Sequence, residues 1–135
     1  MRARIFILLG VIVSGLSACG GGGGSGLAVD TTPSVFARFA YVANSDNDSI
    51  GVYAIDSDTG RLHMQSKAAT GSFPFSVAVT PSGKYAYVAN EGDNTVSQYT
   101  VANDGYLSVM SPATVSAGSQ PEFIVNDPSG KHDYL

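Results

Sequence analysis

One segment of this chain is spelled almost twice: "FAYVANSDNDSI" at residues 39–50 and "YAYVANEGDNTV" at residues 85–96. Tyr41 and Tyr87 stand 46 residues apart, and Pro74 and Pro121 stand 47 apart. The correspondence runs well beyond that segment. "DSDTGRL" (residues 56–62) answers "VANDGYL" (residues 101–107), and "GSFPFSVAVTPSGKYAYV" (residues 71–88) answers "GSQPEFIVNDPSGKHDYL" (residues 118–135). A unit repeated at a fixed spacing buries its apolar faces by stacking against its copies. A period near 46 falls within the range of β-propeller blades, about 40–50 residues.

The local signals are those of strands. "RFAYVAN" and "KYAYVAN" alternate, with Phe39 and Tyr41, or Tyr85 and Tyr87, on one face and Ala40 and Val42, or Ala86 and Val88, on the other. "SIGVYAI" and "TVSQYTV" are β-branched and aromatic at period two, and "FSVAVT" and "EFIVND" are short runs bounded by turn residues. "RLHMQS" and "YLSVMS" give shorter, weaker signals. "TPSGK" and "DPSGK" place Pro and Gly where a tight hairpin needs them, and "DTG" and "NDG" mark a second turn in each unit. Helical periodicity is missing outside the extreme N-terminus. Each period therefore predicts four antiparallel strands. Apolar residues on both faces predict a sheet sandwiched between neighbours, as in a propeller. An eight-stranded up-and-down barrel is the structural rival.

"YVAN", the run "PSGKYAYVAN" and the following "DNTVSQY" resemble the YVTN-repeat propellers. That group includes the seven-bladed β-propeller lactonase family, similar to 6-phosphogluconolactonase. The resemblance covers residues ~36–135 and implies an all-β fold of four-stranded blades. It also implies hydrolysis of a sugar lactone as a possible activity. On this reading residues 38–66 supply strands two to four of one blade, residues 75–110 a complete blade, and residues 122–135 the start of a third. A closed propeller needs about four blades or more. The expectation is therefore the N-terminal part of a longer product, an incomplete propeller of about two blades. Alone, such a chain would expose apolar faces and strand edges and would be poorly soluble.

Residues 1–18 read as a signal peptide: Arg2 and Arg4 precede the apolar "IFILLGVIV" (residues 5–13), which is too short to span a bilayer. "LSAC" (residues 16–19) resembles the lipobox of bacterial lipoproteins. By that resemblance Cys19, the single cysteine, is the first mature residue and carries lipid. An ordinary signal peptide with an incidental thiol is the alternative. "GGGGGSG" (residues 20–26) is a flexible tether with a mean reach of roughly 15 Å. Residues 19–35 thus form a tethered anchor and residues 36–135 the partial propeller. The glycine after Cys19 favours, in the lipoprotein family, the outer membrane of a Gram-negative cell. The expected location is the cell envelope, facing the periplasm or the surface, with the membrane as partner through Cys19.

Removing residues 1–18 leaves 5 Lys and Arg against 11 Asp and Glu, a side-chain charge of −6. No basic stripe remains, which argues against nucleic acid as a partner. The oxygen-rich loops "NSDNDS" (residues 44–49) and "NEGDNT" (residues 90–95) could ligate calcium, but these are also the usual turn formers. The second copy shifts its carboxylates, which favours turns, and no metal or cofactor is expected. His63 falls at a blade's outer edge, and His132 replaces the position of Tyr85. Neither belongs to a metal or triad signature. Arg61, Glu91, Asp93 and Glu122 are polar candidates for a lactonase site by residue type alone. None matches a catalytic motif of the family, so the catalytic residues stay unassigned. The leading expectation is a lipid-anchored envelope propeller that serves as a binding scaffold for a protein or small molecule. The alternative is a lactonase-like hydrolase. A quinone- or metal-dependent dehydrogenase propeller ranks below both.

Overall fold

A computed structural model describes residues 38–129 and 133–134. The signal segment, Cys19, the glycine tether and His132 lie outside the described residues.

Among the described residues nine strands fall into three antiparallel sheets. β1 (Phe39–Asn44), β2 (Ser49–Ile55) and β3 (Leu62–Ala69) form the first. β4 (Pro74–Val79), β5 (Tyr85–Asn90), β6 (Thr95–Val101) and β7 (Leu107–Ser116) form the second, and β8 (Val125–Asn126) pairs with β9 (Asp133–Tyr134) in the third. Within each sheet the strand order follows the chain, the meander of a propeller blade. Equivalent residues hold equivalent register: Tyr41 sits opposite Val52, and Tyr87 opposite Gln98. A barrel would join the strands into one closed ladder, whereas here neither β3 with β4 nor β7 with β8 is a hydrogen-bonded pair. The rival architecture is excluded.

The turn chemistry predicted from "TPSGK" is realised. The Thr80 amide donates to the Tyr85 carbonyl at 2.9 Å, and the Gly83 amide to the Thr80 carbonyl at 2.8 Å. Gly83 has φ 68°, the left-handed region that a side chain resists. In the β2–β3 turn the Asp56 carboxylate accepts from the Thr59 amide and hydroxyl, each at 2.8 Å. Those bonds, the hydroxyl's first, hold its pKa below the ordinary carboxylate value.

The outer strands differ from expectation. The segments predicted to be short and weak become β3, of 8 residues, and β7, of 10. Both carry a register shift, opposite Val52/Tyr53 and Ser97/Tyr99. Each is the edge of its sheet and is largely exposed along its length. An edge strand with water on both sides has no buried face to impose alternation, which is why its sequence signal was faint.

The core lies between sheets. Tyr41, Ile50 and Val52 from the first sheet pack with Val77, Ala86, Val88 and Tyr99 from the second. On the opposite face of the second sheet Ala78, Ala89 and Val96 pack with Ile124, and the Phe75 and Phe123 rings meet edge-to-face at 5.9 Å. One strand thus serves two interfaces: Ala86 and Val88 of β5 face the first sheet, and Ala89 faces the segment before β8. Two tyrosine hydroxyls also cross the first interface. Tyr41 donates to the Gly105 carbonyl at 2.9 Å and Tyr99 to the Ala69 carbonyl at 2.5 Å. Burial pushes both phenols up, Tyr41 to about 12 with help from the negative charge of Asp104.

Candidate functional site

The β1–β2 and β5–β6 loops and the connections into β4 and β8 share one end of the sheets. Pro74, which opens β4, pairs with Asn90, which closes β5. The hairpins Asp56–Arg61, Thr80–Tyr85 and Ala102–Tyr106 close the opposite end. At the first end lies an open cleft of about 490 Å³. Ser72 and Phe73 line one side, Glu91, Gly92 and Asn94 the middle, and Ser119 with Gln120 the other side. Ser72–Phe73 and Ser119–Gln120 are the same two positions of successive repeats.

The cleft is assembled by backbone contacts. The Glu91 amide donates to the Phe73 carbonyl at 3.0 Å and the Gly92 amide to the Ser72 carbonyl at 3.1 Å. The Asp93 carboxylate accepts from the Ser72 amide at 2.5 Å. Gly71 passes so close to Asn90 and Asp93 that a Cβ there would lie 2.6 Å from Asn90 Nδ2 and 2.7 Å from Asp93 Oδ2. Only glycine fits this crossing. Beneath it, fully buried Asn90 donates to the Thr95 hydroxyl at 3.0 Å and the Ser97 hydroxyl at 2.9 Å. The Gly71 amide donates to the same Ser97 oxygen at 3.1 Å.

A second device occurs in both repeats. Asp48 and Asn94, at equivalent loop positions, adopt left-handed backbone with φ 46° and 55°. Asp48 Oδ1 accepts from the Phe73 amide at 2.8 Å, and Asn94 Oδ1 from the Gln120 amide at 2.7 Å. Their carbonyls accept from Thr70 and Ala117, at 2.9 and 2.8 Å. Phe73 and Gln120 are themselves left-handed, φ 54° and 53°, each directly before a proline. Each latch joins one sheet to the entry of the next.

The sequence candidates are distributed unevenly. Glu91 lines the cleft, half-buried, and Asp93 lies beside it, engaged with Ser72. Glu122 is exposed two residues beyond Gln120 and is not part of the lining. Arg61 sits in the hairpin at the far end, and His63 on the exposed outer strand β3. In the oxygen-rich loops Asp48 and Asn94 bond backbone amides. Among the described residues no group of three or more His, Cys, Asp or Glu is placed to hold a metal ion. Phe73 and Gln120 are not among the candidates by residue type, and Asn94 enters only as part of the loop 90–95. The available signal was the aligned pair "SFP" and "SQP", where a non-glycine residue precedes a repeated proline.

Stacked antiparallel meanders, of which the second sheet has the full four strands, with cores between the sheets, define the β-propeller class, and the cleft lies at one loop end of the sheets. Residues 28–125 match the family described as lactonase, 7-bladed beta-propeller, and the chain belongs to that family. No curated protein matches it in sequence. Among solved structures it is similar to a 6-phosphogluconolactonase-like protein of Bacteroides fragilis, at 22% identity and a TM-score of 0.65, over 72% of this chain and 28% of that one. The periplasmic gluconolactonase PpgL of Pseudomonas aeruginosa is similar at 24% identity and a TM-score of 0.56, over 62% of this chain and 23% of that one. Hydrazine synthase of Kuenenia stuttgartiensis is similar at 23% identity and a TM-score of 0.58, over 73% of this chain and 25% of that one. At these identities the likeness concerns the fold alone. The chain spans between 23% and 28% of the length of these three structures.

Proposed function

We propose that this chain supplies blades of a lactonase that opens a neutral sugar lactone. The observation that carries the reading is the family match over residues 28–125. It shifts the balance from the binding scaffold, the leading expectation from sequence, to the hydrolase. In the reaction water adds to the ester carbonyl carbon, the ring C–O bond breaks, and the freed ring oxygen takes a proton to give a hydroxy acid. Glu91 is the carboxylate in the cleft and the candidate general base toward that water. Among the described residues the cleft lining holds this one acidic group and no Lys or Arg. Such a lining suits an uncharged lactone better than a phosphorylated one.

The test is hydrolysis of glucono-1,5-lactone by the full-length gene product, followed by proton release above the spontaneous rate. Glu91→Gln is expected to lower kcat about 100-fold or more. A wild-type rate no greater than the spontaneous one would return the protein to the scaffold reading.

The membrane anchor is part of the same proposal. "LSAC" and a lone cysteine support lipidation at Cys19, and the periplasmic location named for the Pseudomonas aeruginosa enzyme accords with export. Membrane fractionation of Cys19→Ser checks it: the variant should leave the membrane fraction, and its retention there would count against the anchor.

A further inference from the structure

Phe73 is an unusual residue to find in left-handed backbone. Bulky side chains with positive φ are outliers, and such strain persists only where the surroundings enforce it. Here the surroundings are explicit: the Asp48 carboxylate from the preceding sheet holds the Phe73 amide at 2.8 Å, and the Glu91 amide holds its carbonyl at 3.0 Å. The ring gains little from packing in return. Phe73 is 47% exposed and lines the cleft, within a backbone hydrogen bond of Glu91. An exposed aromatic ring that shares a cleft with a carboxylate suits the apolar C–H face of a ring whose rim carries hydroxyls. Across the cleft, the matching latch from Asn94 holds Gln120, whose amide side chain has both a donor and an acceptor for such hydroxyls.

We propose that Phe73 is a specificity-determining platform for a cyclic, polyhydroxylated, uncharged ligand, and that Asp48 is the positioning residue that sets it. The lactonase reading supplies the ligand's identity; the platform itself rests on the latch and the exposed ring. The repeat contains its own control, because at the second copy a neutral amide oxygen does what the carboxylate does at the first. The acceptor, not the charge, is what the latch needs.

The experiment uses the full-length protein and two probes, glucono-1,5-lactone for turnover and the non-hydrolysable D-glucono-1,5-lactam for calorimetric binding. Phe73→Ala should weaken lactam binding and raise KM by about three- to tenfold, with kcat nearly unchanged. Asp48→Ala should reproduce that pattern, and Asp48→Asn should restore wild-type values. Thermal denaturation of each variant separates a platform from a fold defect. A fall in Tm for Asp48→Ala with unchanged KM and lactam affinity would overturn the proposal, as would failure of Asp48→Asn to rescue. If the wild type binds lactam in an Asp48-dependent way without hydrolysing lactone, the platform stands and the lactonase reading falls. If the wild type does not bind the lactam, the platform is wrong whatever the turnover.

Discussion

The two inter-sheet cores follow one plan with different fillings. Between the first and second sheets, Ile50 of β2 shares a cluster with Val77 of β4. Between the second sheet and the next segment, the equivalent positions are Val96 and Ile124, again in one cluster. The larger side chain has changed sides while the pair keeps the same total volume. Close-packed interiors resist a change of even one methylene, yet they tolerate swaps that conserve volume. The repeat therefore preserves the sum at an interface rather than the residue at a position. The first core adds two cross-sheet tyrosine bonds, from Tyr41 and Tyr99, to its apolar filling.

The severest break in this comparison is Ile50→Ala. Ile50 is fully buried, so truncation should cost about 2–5 kcal/mol through lost burial and the cavity left behind. Chemical denaturation of the full-length protein measures it. A cost below 1 kcal/mol would mean that the interface does not support the fold. The tyrosine bonds come next. Tyr99→Phe should cost about 1 kcal/mol, the usual net value of one hydrogen bond. For Tyr41 the effect depends on pH. Its phenol is raised from 10.0 to about 12, so the folded state keeps a proton that the unfolded chain gives up. Its contribution is complete below pH 10 and is lost as pH rises from 10 toward 12. Tyr41→Phe should flatten that part of the stability profile, and an unchanged alkaline slope would contradict the assignment. The smallest effect sharpens the comparison. Ile50→Val and Val77→Ile should each destabilise, by about 1 kcal/mol. The double variant, which copies the second core onto the first, should recover most of the sum. Strict additivity in that cycle would show that the two positions do not share volume.

The repeat made the inner and middle strands legible because each has a side to bury. "YAYVAN" alternates since Ala86 and Val88 meet one neighbour and Ala89 the other. The hairpin at Thr80–Tyr85 was legible because its Pro and Gly are demanded by backbone geometry. Outer strands β3 and β7 were read too short, having no buried side to impose a pattern. Of the polar candidates named by residue type alone, Glu91 lines the cleft, and Arg61 lies in the hairpin at the other end of the sheets. Phe73 and Gln120 escaped because their conformation is set by an acceptor 25 or 26 residues earlier in the chain. Local propensity has no access to a hydrogen bond over that distance. The fold class and the family resemblance were both legible, because blade-building residues recur and can be compared with one another. The cleft depends on loops, where Asp48 and Asn94 look like ordinary turn formers.

Asp48 and Asn94 each reach forward to the unit that follows, so among the described residues the first and second sheets each carry the acceptor for their successor's entry. A gene segment of one period, copied or deleted in frame, therefore takes a complete joint with it. The new neighbours meet through the same latch, with only the core volumes left to readjust. Blade number in such a lineage can change by whole units without the invention of a new contact.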